Sequence, residues 1–426
     1  NQAATQVSIS NCISSFRFLS TAVWKDFVEE TGIVESILRQ DINGVYGKMD
    51  FHTRDSYRHA IEKIAKCSKL SEHAVAEMVI NAAKSGNTDK ENTKLSHVGY
   101  YLTGKGYRAT AKAAFSRNSV SEKCRTTVDK TPLLVYLGSI LVFSFVFCWL
   151  LIAEALKETL PIGIFIAVCI ISFITTTRLA VSLVNWLSSI LAEPSLLPRM
   201  DYSKEIPDDA KTMVVIPTMI TDFSGIETLI EGLEVRFLAN KEANLYFALL
   251  TDFKDAYTEH LPEDALLLAG LKNRIIDLNK KYRQTNEDTF LLFHRPRRWN
   301  KNDKIWMGYE RKRGKLSELN AVLRNKGEEY FSEIIGNSAI FSSIKYVITL
   351  DTDTQLSRDT ARQMIGTMAH PLNQPVYSEK KKRVTEGYSI LQPRVSNTLP
   401  AFDSSLYARL HGNDPGTDPY TKATSD

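Results

Sequence analysis

Three signatures that would classify the chain at once are missing. Its five cysteines, Cys12, Cys67, Cys124, Cys148 and Cys169, are scattered with no CxxC spacing, which argues against a zinc site or a redox pair. They read as reduced thiols facing cytoplasm or lipid. No charge of one sign dominates: 53 basic and 49 acidic residues leave a formal net charge of +4, which excludes a nucleic-acid-binding domain as the main theme. No initiating Met and no charged, apolar, small-residue leader opens the chain, so the amino end reads as a fragment's. His52 and His59 lack carboxylate or cysteine partners at ligand spacing, and read as ordinary surface or core histidines.

What is present begins with hydropathy. The run LLVYLGSILVFSFVFCWLLIA, Leu133 to Ala153, is uncharged and at 1.5 Å per residue spans a hydrocarbon core of about 30 Å. It predicts a transmembrane helix. After the connector EALKETLP, a second run from Ile162 to Thr177 continues past Arg178 into LAVSLVNWLSSIL. This is either one tilted helix or a span followed by an interfacial helix, with Arg178 and Trp186 at headgroup level. Lys123, Arg125 and Lys130 precede the pair, Arg199 follows it, and only Lys157 lies between, so both ends of the hairpin are expected in the cytoplasm. The domain division is therefore 1–130 helical, 131–192 transmembrane hairpin, 193–210 linker and 211–426 catalytic. In the first region, TAVWKDFVEETGIVESILRQ and RDSYRHAIEKIAKCS carry apolar residues at intervals of three and four. SEHAVAEMVINAAK opens on a Ser–Glu pair suited to a helix start, so a small all-α domain is predicted. GNTDKENTK, from Gly86, reads as a solvated loop.

Beyond the Pro-punctuated linker, KTMVVIPTMITD predicts an apolar strand ending at Pro217 and Thr218. IETLIEGLEVRFLANK supplies a crossover helix, and NLYFALLTDFKDA a second strand ending at Thr251 and Asp252, with Asp255 close behind. Such β-α-β order demands parallel pairing and a ligand crevice at the strands' carboxyl ends. There Asp252 suits hydrogen bonding to a uracil ring or ribose, or capping of the next helix. YVITL then predicts a strand from Tyr346 to Leu350 running into DTDT, where strand alternation would turn Asp351 and Asp353 into one crevice. Two such carboxylates suit Mg²⁺ or Mn²⁺ shared with a nucleotide diphosphate.

Between these strands, FLLFHRPRRWNKNDKIWMGYERKRGKLSELN interleaves Arg295, Arg297, Arg298, Arg311, Lys312, Arg313 and Lys315 with Trp299, Trp306 and Tyr309. The mixture suits diphosphate neutralisation, with aromatic faces stacking on a sugar or base. A nucleic-acid patch is the rival, disfavoured by the strand order and DTDT. With Lys315 and Asn320 upstream of the acidic pair, the order looks like the donor half of a sugar-nucleotide glycosyltransferase. The fold class expected is α/β: a GT-A-like, mostly parallel sheet domain preceded by a small all-α domain and a transmembrane hairpin.

VVIPT, LLTDFKDA, FHRPRRWN, WMGYERKRGKLSELN, YVITLDTDT, LQPRV and GNDPGTDPYTKATSD together resemble the glycosyltransferase region of cyclic β-1,2-glucan synthases. VYGKMDFHTRDSYRHAIEKIA resembles the segment ahead of that family's membrane part, so the likeness covers most of the chain. It implies a multi-pass protein of a bacterial inner membrane whose cytoplasmic domain transfers glucose from UDP-glucose. The product is a β-1,2-glucan chain carried on an enzyme tyrosine and later released as a ring. Membrane lipids are further partners, and nucleic acid is not one. Carried over by motif, Asp351 and Asp353 would hold metal and diphosphate, Asp252 the uridine, and Lys315 and Arg313 the phosphates. Thr218, Asp255, Arg297, Trp299, Arg311 and Asn320 complete the expected donor site.

Inversion at the anomeric carbon would need a base, which such enzymes place downstream of the DxD, followed by a QxxRW-type element. Neither precedes Asp426, so the chain alone is expected to be an incomplete, inactive piece. Glu310 and Asp414 have no context supporting them as the base, and the glucan carrier is unassigned: Tyr309, Tyr388 and Tyr420 all lie in candidate loops, with Tyr309 reading rather as a stacking or packing residue. A cellulose-synthase-like maker of linear polysaccharide and a non-catalytic membrane scaffold are the alternatives.

Overall fold

The computed structural model describes residues 2–21, 23–86, 93–114, 131–157, 161–191, 196–282 and 288–393. Asp414, Tyr420, GNDPGTDPYTKATSD, Lys123, Arg125, Lys130 and most of GNTDKENTK lie outside them. The chain divides into two compact units: one holds the amino-terminal helices and the apolar pair, the other residues 198–389 with Lys48–Phe51.

In the first unit, helices α1 (Gln2–Thr21), α2 (Trp24–Thr31), α3 (Ile33–Leu38), α4 (Phe51–Lys66), α5 (Glu72–Gly86), α6 (Val98–Leu102) and α7 (Tyr107–Ala113) form the predicted all-α region. The i, i+3/i+4 spacing puts Tyr57, Ile61 and Ile64 of α4, with Val75, Ala76 and Val79 of α5, out of water. Ser71 caps α5 as its sequence suggested, its hydroxyl accepting from the Ala74 amide at 3.3 Å. Buried Glu35 is matched by cations: its carboxylate accepts from Arg58 at 2.6 Å, Arg39 at 2.9 Å and the Tyr46 hydroxyl at 2.7 Å.

The apolar runs fold as α8 (Pro132–Ala155) and α9 (Ile162–Leu191). Pro132 opens α8, where its missing N–H costs nothing. The second run is one uninterrupted helix of 30 residues, so the single-helix reading holds and Arg178 lies within it. Both helices are long and apolar enough to cross a membrane. Leu133, Trp149 and Ile162 are 67%, 73% and 82% exposed, apolar faces that hydrocarbon would cover. Tyr136 donates to Asn185 at 2.8 Å, a polar tie between the two.

The second unit is an α/β domain. β1 (Thr212–Ile220), β2 (Leu245–Phe253), β3 (Phe290–His294), β6 (Glu333–Ile335) and β7 (Tyr346–Thr349) form one sheet in the order β6-β3-β2-β1-β7. All pairings are parallel except β3 with β6. The crossovers are α10 (Phe223–Ala239) and α11 (Asp264–Tyr282). β2 is buried at all nine positions, which is why LYFALLTDF is nearly continuous apolar sequence. Alternation sorts the strands between two cores. Val214, Ile216, Phe247, Leu249 and Leu292 pack with α10 and α11; Met213, Val215, Ala248, Leu250 and Phe293 pack with Leu319 and Val322 of α12 (Arg311–Val322). Strands proceed outward from β1 through β2 to β3, and then β7 joins β1 on its other flank. That reversal opens a crevice beyond the carboxyl ends of β1 and β7.

Three further pieces complete the unit: a hairpin of β4 (Arg298–Asn300) and β5 (Ile305–Met307), helix α13 (Thr360–Ala369), and a hairpin of β8 (Val376–Ser378) and β9 (Arg383–Glu386). Lys48–Phe51 is threaded in as well: Met49 bridges Met200, the Asp50 amide donates to the Arg199 carbonyl at 3.1 Å, and Asp50 pairs with the Arg199 guanidinium.

Asn279 joins α11 to β3 by both amide atoms, donating to the Phe290 carbonyl at 2.8 Å and accepting from its N–H at 2.9 Å. Asn279→Ala leaves two buried backbone groups unpaired and is expected to cost about 2–3 kcal/mol. Denaturant unfolding of the detergent-solubilised chain would measure it, and a loss under about 0.5 kcal/mol would mean that water replaces the amide.

Candidate functional site

The crevice floor is set where β7 ends. Leu350 still donates to the Val215 carbonyl at 3.0 Å, but Thr354 then donates back to Asp351 at 3.1 Å, so DTDT is a turn. Strand alternation therefore stops before Asp353, contrary to the expectation that a strand to Leu350 would orient both carboxylates. The cause is Arg236 of α10. Its buried guanidinium donates to the Thr352 carbonyl at 2.7 Å and to that of Thr354 at 2.7 and 3.0 Å, folding the turn over the helix. Burial draws the Arg236 pKa down and the Asp353 charge opposes it, so Asp353 stands within electrostatic reach of Arg236. Asp351 instead is ion-paired with the Lys312 ammonium.

The basic wall is α12 and the bend that feeds it. Glu310 and Arg311 both hold left-handed backbone, φ 51° and 49°, strain of a kind that collects at functional sites. At Gly308 a Cβ would overlap the Asp252 carboxylate, so only glycine lets the chain pass. The helical period then sorts RKRGKLSELN. Arg311, Lys312 and Lys315 share the crevice side: Arg311 reaches Asp255 at 2.5 Å, Lys312 Asp351, and Lys315 Asp252 at 2.6 Å and the Thr218 carbonyl. Arg313 and Asn320 lie on the opposite, exposed face, Arg313 beside Glu310 at 3.4 Å.

Behind the wall is a buried charge network. Arg295, 2% exposed, donates to Asp252 at 3.0 Å, to Glu318 at 2.8 Å and to the Tyr309 carbonyl at 3.1 Å. Burial lowers the Lys315 pKa, opposed by the charge of Asp252. His294, which shares a hydrogen bond of 2.9 Å with the Thr251 hydroxyl, is depressed to about 3 by burial and then by the Lys315 charge.

Not every predicted residue joins the crevice. Asp252 is 1% exposed and its carboxylate is occupied by Arg295 and Lys315. Arg297 is also buried, donating to both Asp264 oxygens and to the Lys254 and Glu259 carbonyls at 2.7 and 3.0 Å while lying 4.9 Å from the Phe253 ring centroid. It pins the loop after β2. Thr218, Asp255, Arg311, Lys315 and Asp351 are brought together, and Trp299 lies on the adjoining β4–β5 hairpin. Arg236 and Glu318 escaped the sequence reading, although a charge at position 236 on the apolar face of IETLIEGLEVRFLAN was a legible signal. Among the described residues, no three His, Cys, Asp or Glu side chains form a metal cage. Asp351 and Asp353 offer two exposed oxygen donors, which suits a hard divalent ion completing its shell with phosphate and water.

Fold and crevice define the class: an open α/β domain with a topological switch point lined by cations and two acidic side chains, suited to an anionic ligand. Sequence comparison narrows this. Over 423 residues, 98% of its length, the chain is 33% identical to the cyclic β-(1,2)-glucan synthase NdvB of Rhizobium meliloti. It spans 15% of that relative's length and corresponds to a region of a cyclic β-(1,2)-glucan synthase, as its motifs suggested. No protein-family model matches the chain.

Gly308→Ala should displace the Asp252 carboxylate and destabilise the domain by about 1–3 kcal/mol, read as a fall in the unfolding midpoint. An unchanged midpoint would mean that the bend and Asp252 are not in contact. His294 makes a pH prediction. Its folded pKa lies below the ordinary 6.5, so the unfolded chain takes up the proton first. Stability is then lost as pH falls from about 6.5 towards 3, by up to about 1.4 kcal/mol per pH unit from this group. His294→Asn, which retains a partner for Thr251, should flatten that part of the stability–pH curve; an identical slope would exclude a neutral buried imidazole.

Proposed function

We propose that the domain transfers glucose from UDP-glucose to a growing β-1,2-glucan chain as the glycosyltransferase part of cyclic β-(1,2)-glucan synthesis. The observation that carries this reading is the convergence of Arg311, Lys312 and Lys315 with Asp351 at the β1–β7 switch point, in a chain similar to a named β-(1,2)-glucan synthase. Asp351 and Asp353 would hold Mg²⁺ or Mn²⁺, which when bound supplies charge neutralisation for the departing diphosphate. Arg311 and Lys312, both half-exposed, can turn from their carboxylate partners to phosphate oxygens. Lys315 is held on Thr218 and Asp252, so its role is a fixed positive charge at the crevice floor. The acceptor 2-hydroxyl would attack the anomeric carbon from the face opposite the diphosphate and invert it, as the anomeric carbon–oxygen bond to UDP breaks and the hydroxyl proton passes to a general base.

The glucan would stay attached to the enzyme during growth. The apolar hairpin would anchor the domain on the cytoplasmic side of a bacterial inner membrane, where UDP-sugars are made. The experiment is equilibrium binding of UDP-glucose to the detergent-solubilised chain, with and without Mg²⁺, beside the Asp351→Asn, Asp353→Asn double variant and with GDP-mannose as control. Metal-dependent binding weakened about 10–100-fold in the variant supports the reading. Equal binding of both nucleotide sugars, or none by folded protein, overturns the donor assignment.

A further inference from the structure

The crevice, the buried network and the loop after β2 account for Arg295, Arg297, Arg311, Lys312 and Lys315 of the Phe290–Asn320 segment but leave its indoles over. Trp299 and Trp306 are a directly opposed pair across β4 and β5, with ring centroids 5.8 Å apart. Alternation puts them on one face of the hairpin. The neighbouring Arg298–Met307 pair faces the other way, where Met307 is buried and Arg298 is bound to Glu318 at 2.9 Å. The Trp pair is thus turned from the core, and Trp299 is 45% exposed.

The ledge is rigid. Asn300 accepts from the Asn302 and Asp303 amides at 3.0 and 3.4 Å and donates to Asp303 at 2.7 Å, while Lys304 closes the turn with φ 52°. The ledge also adjoins the crevice. Trp306 exchanges backbone hydrogen bonds of 2.8 and 2.9 Å with Ala256, the residue after the crevice's Asp255, and Gly308, two residues after Trp306, packs on Asp252, the partner of Lys315.

Its chemistry differs from the crevice's. Among the described residues no cation lies over either indole, so the face offers aromatic surface and indole N–H groups in place of the crevice's charges. A pyranose presents an apolar C–H face whose positive edge matches the negative face of an aromatic ring. Two indoles cover far less than the roughly 800 Å² per partner of a stable protein interface, and suit one or two sugar rings.

We propose that the Trp299–Trp306 face is the acceptor subsite, stacking a sugar ring of a neutral β-linked glucan beside the donor crevice. This rests on the donor reading above. The reaction needs one anionic and one neutral substrate, and the two surfaces divide along that line.

The test titrates the full chain, in a detergent without a sugar headgroup, with a β-1,2-linked gluco-oligosaccharide in the absence of UDP-glucose, read by saturation-transfer NMR. Trp299→Ala should weaken glucan binding about tenfold, Trp299→Phe should retain most of it, and UDP-glucose affinity should change less than about twofold in both. Thermal unfolding verifies that each variant is folded, and Trp306→Ala replaces Trp299→Ala if that one is not. Glucan binding indifferent to both indoles overturns the proposal. So does a variant that loses UDP-glucose but keeps glucan, because the ledge would then stack the base. Trp299-dependent glucan binding by a chain that binds no UDP-glucose would sink the donor reading alone and leave this subsite standing.

Discussion

The α/β domain depends on one buried charge cluster. Asp252 ends β2, Arg295 follows β3, and Lys315 and Glu318 stand one helical turn apart on α12. Placed separately in the interior, each charge would be prohibitive; together they neutralise one another, and removing one member of such a cluster costs about 3–5 kcal/mol. The cluster also holds α12 against the sheet at its carboxyl end, where the apolar residues Leu319 and Val322 have begun to pack but the crevice side must stay polar. Every exposed cation of the crevice is presented from this clamped helix, so the network sets the crevice's geometry while only its Lys315 lies on the crevice side.

Arg236 has the matching role on the other wall. A carbonyl-lined turn such as DTDT has no side-chain cap of its own, and the guanidinium supplies one from beneath. The two acidic residues then see different neighbours, Asp351 the Lys312 ammonium and Asp353 the Arg236 region. Cation partners on both walls would keep the turn ordered before any ligand arrives, which is the preorganisation a charge-binding site needs.

How far this could be read from sequence follows the range of each interaction. Apolar runs of strand and span length are local signals, so β1, β2, β7, α8 and α9 were legible, as was the switch-point crevice that parallel order implies. Asp351 and Arg311 were legible for the same reason, lying at element ends. What periodicity could not reveal is which charges turn inward. Asp252, Arg295 and Arg297 look in sequence like ligands for a diphosphate or uridine, and they are neutralised by partners 23 to 63 residues away. Of the partners that decide this, Asp264 carries no motif, and Glu318, inside RGKLSELN, gives no sign in sequence that it turns inward.

The helix period makes the same point within one segment. In RKRGKLSELN five charged residues share about three turns, and a composition-level reading gives all of them to the ligand. Stepping by roughly 100° per residue puts 311, 312, 315 and 318 on one side and 313 on the other, and burial then divides the first group, 318 lying buried while 311 and 312 stay exposed. Glycine at 314 is part of the device, since the Tyr309 carbonyl lies where its side chain would stand and Arg295 approaches that position to 3.0 Å. A larger residue there would push the first turn of α12 off Arg295, and the exposed cations would move with it. The dense basic block is thus a buried clamp and an exposed ligand face written over one another, with the small residue at 314 marking where the two meet.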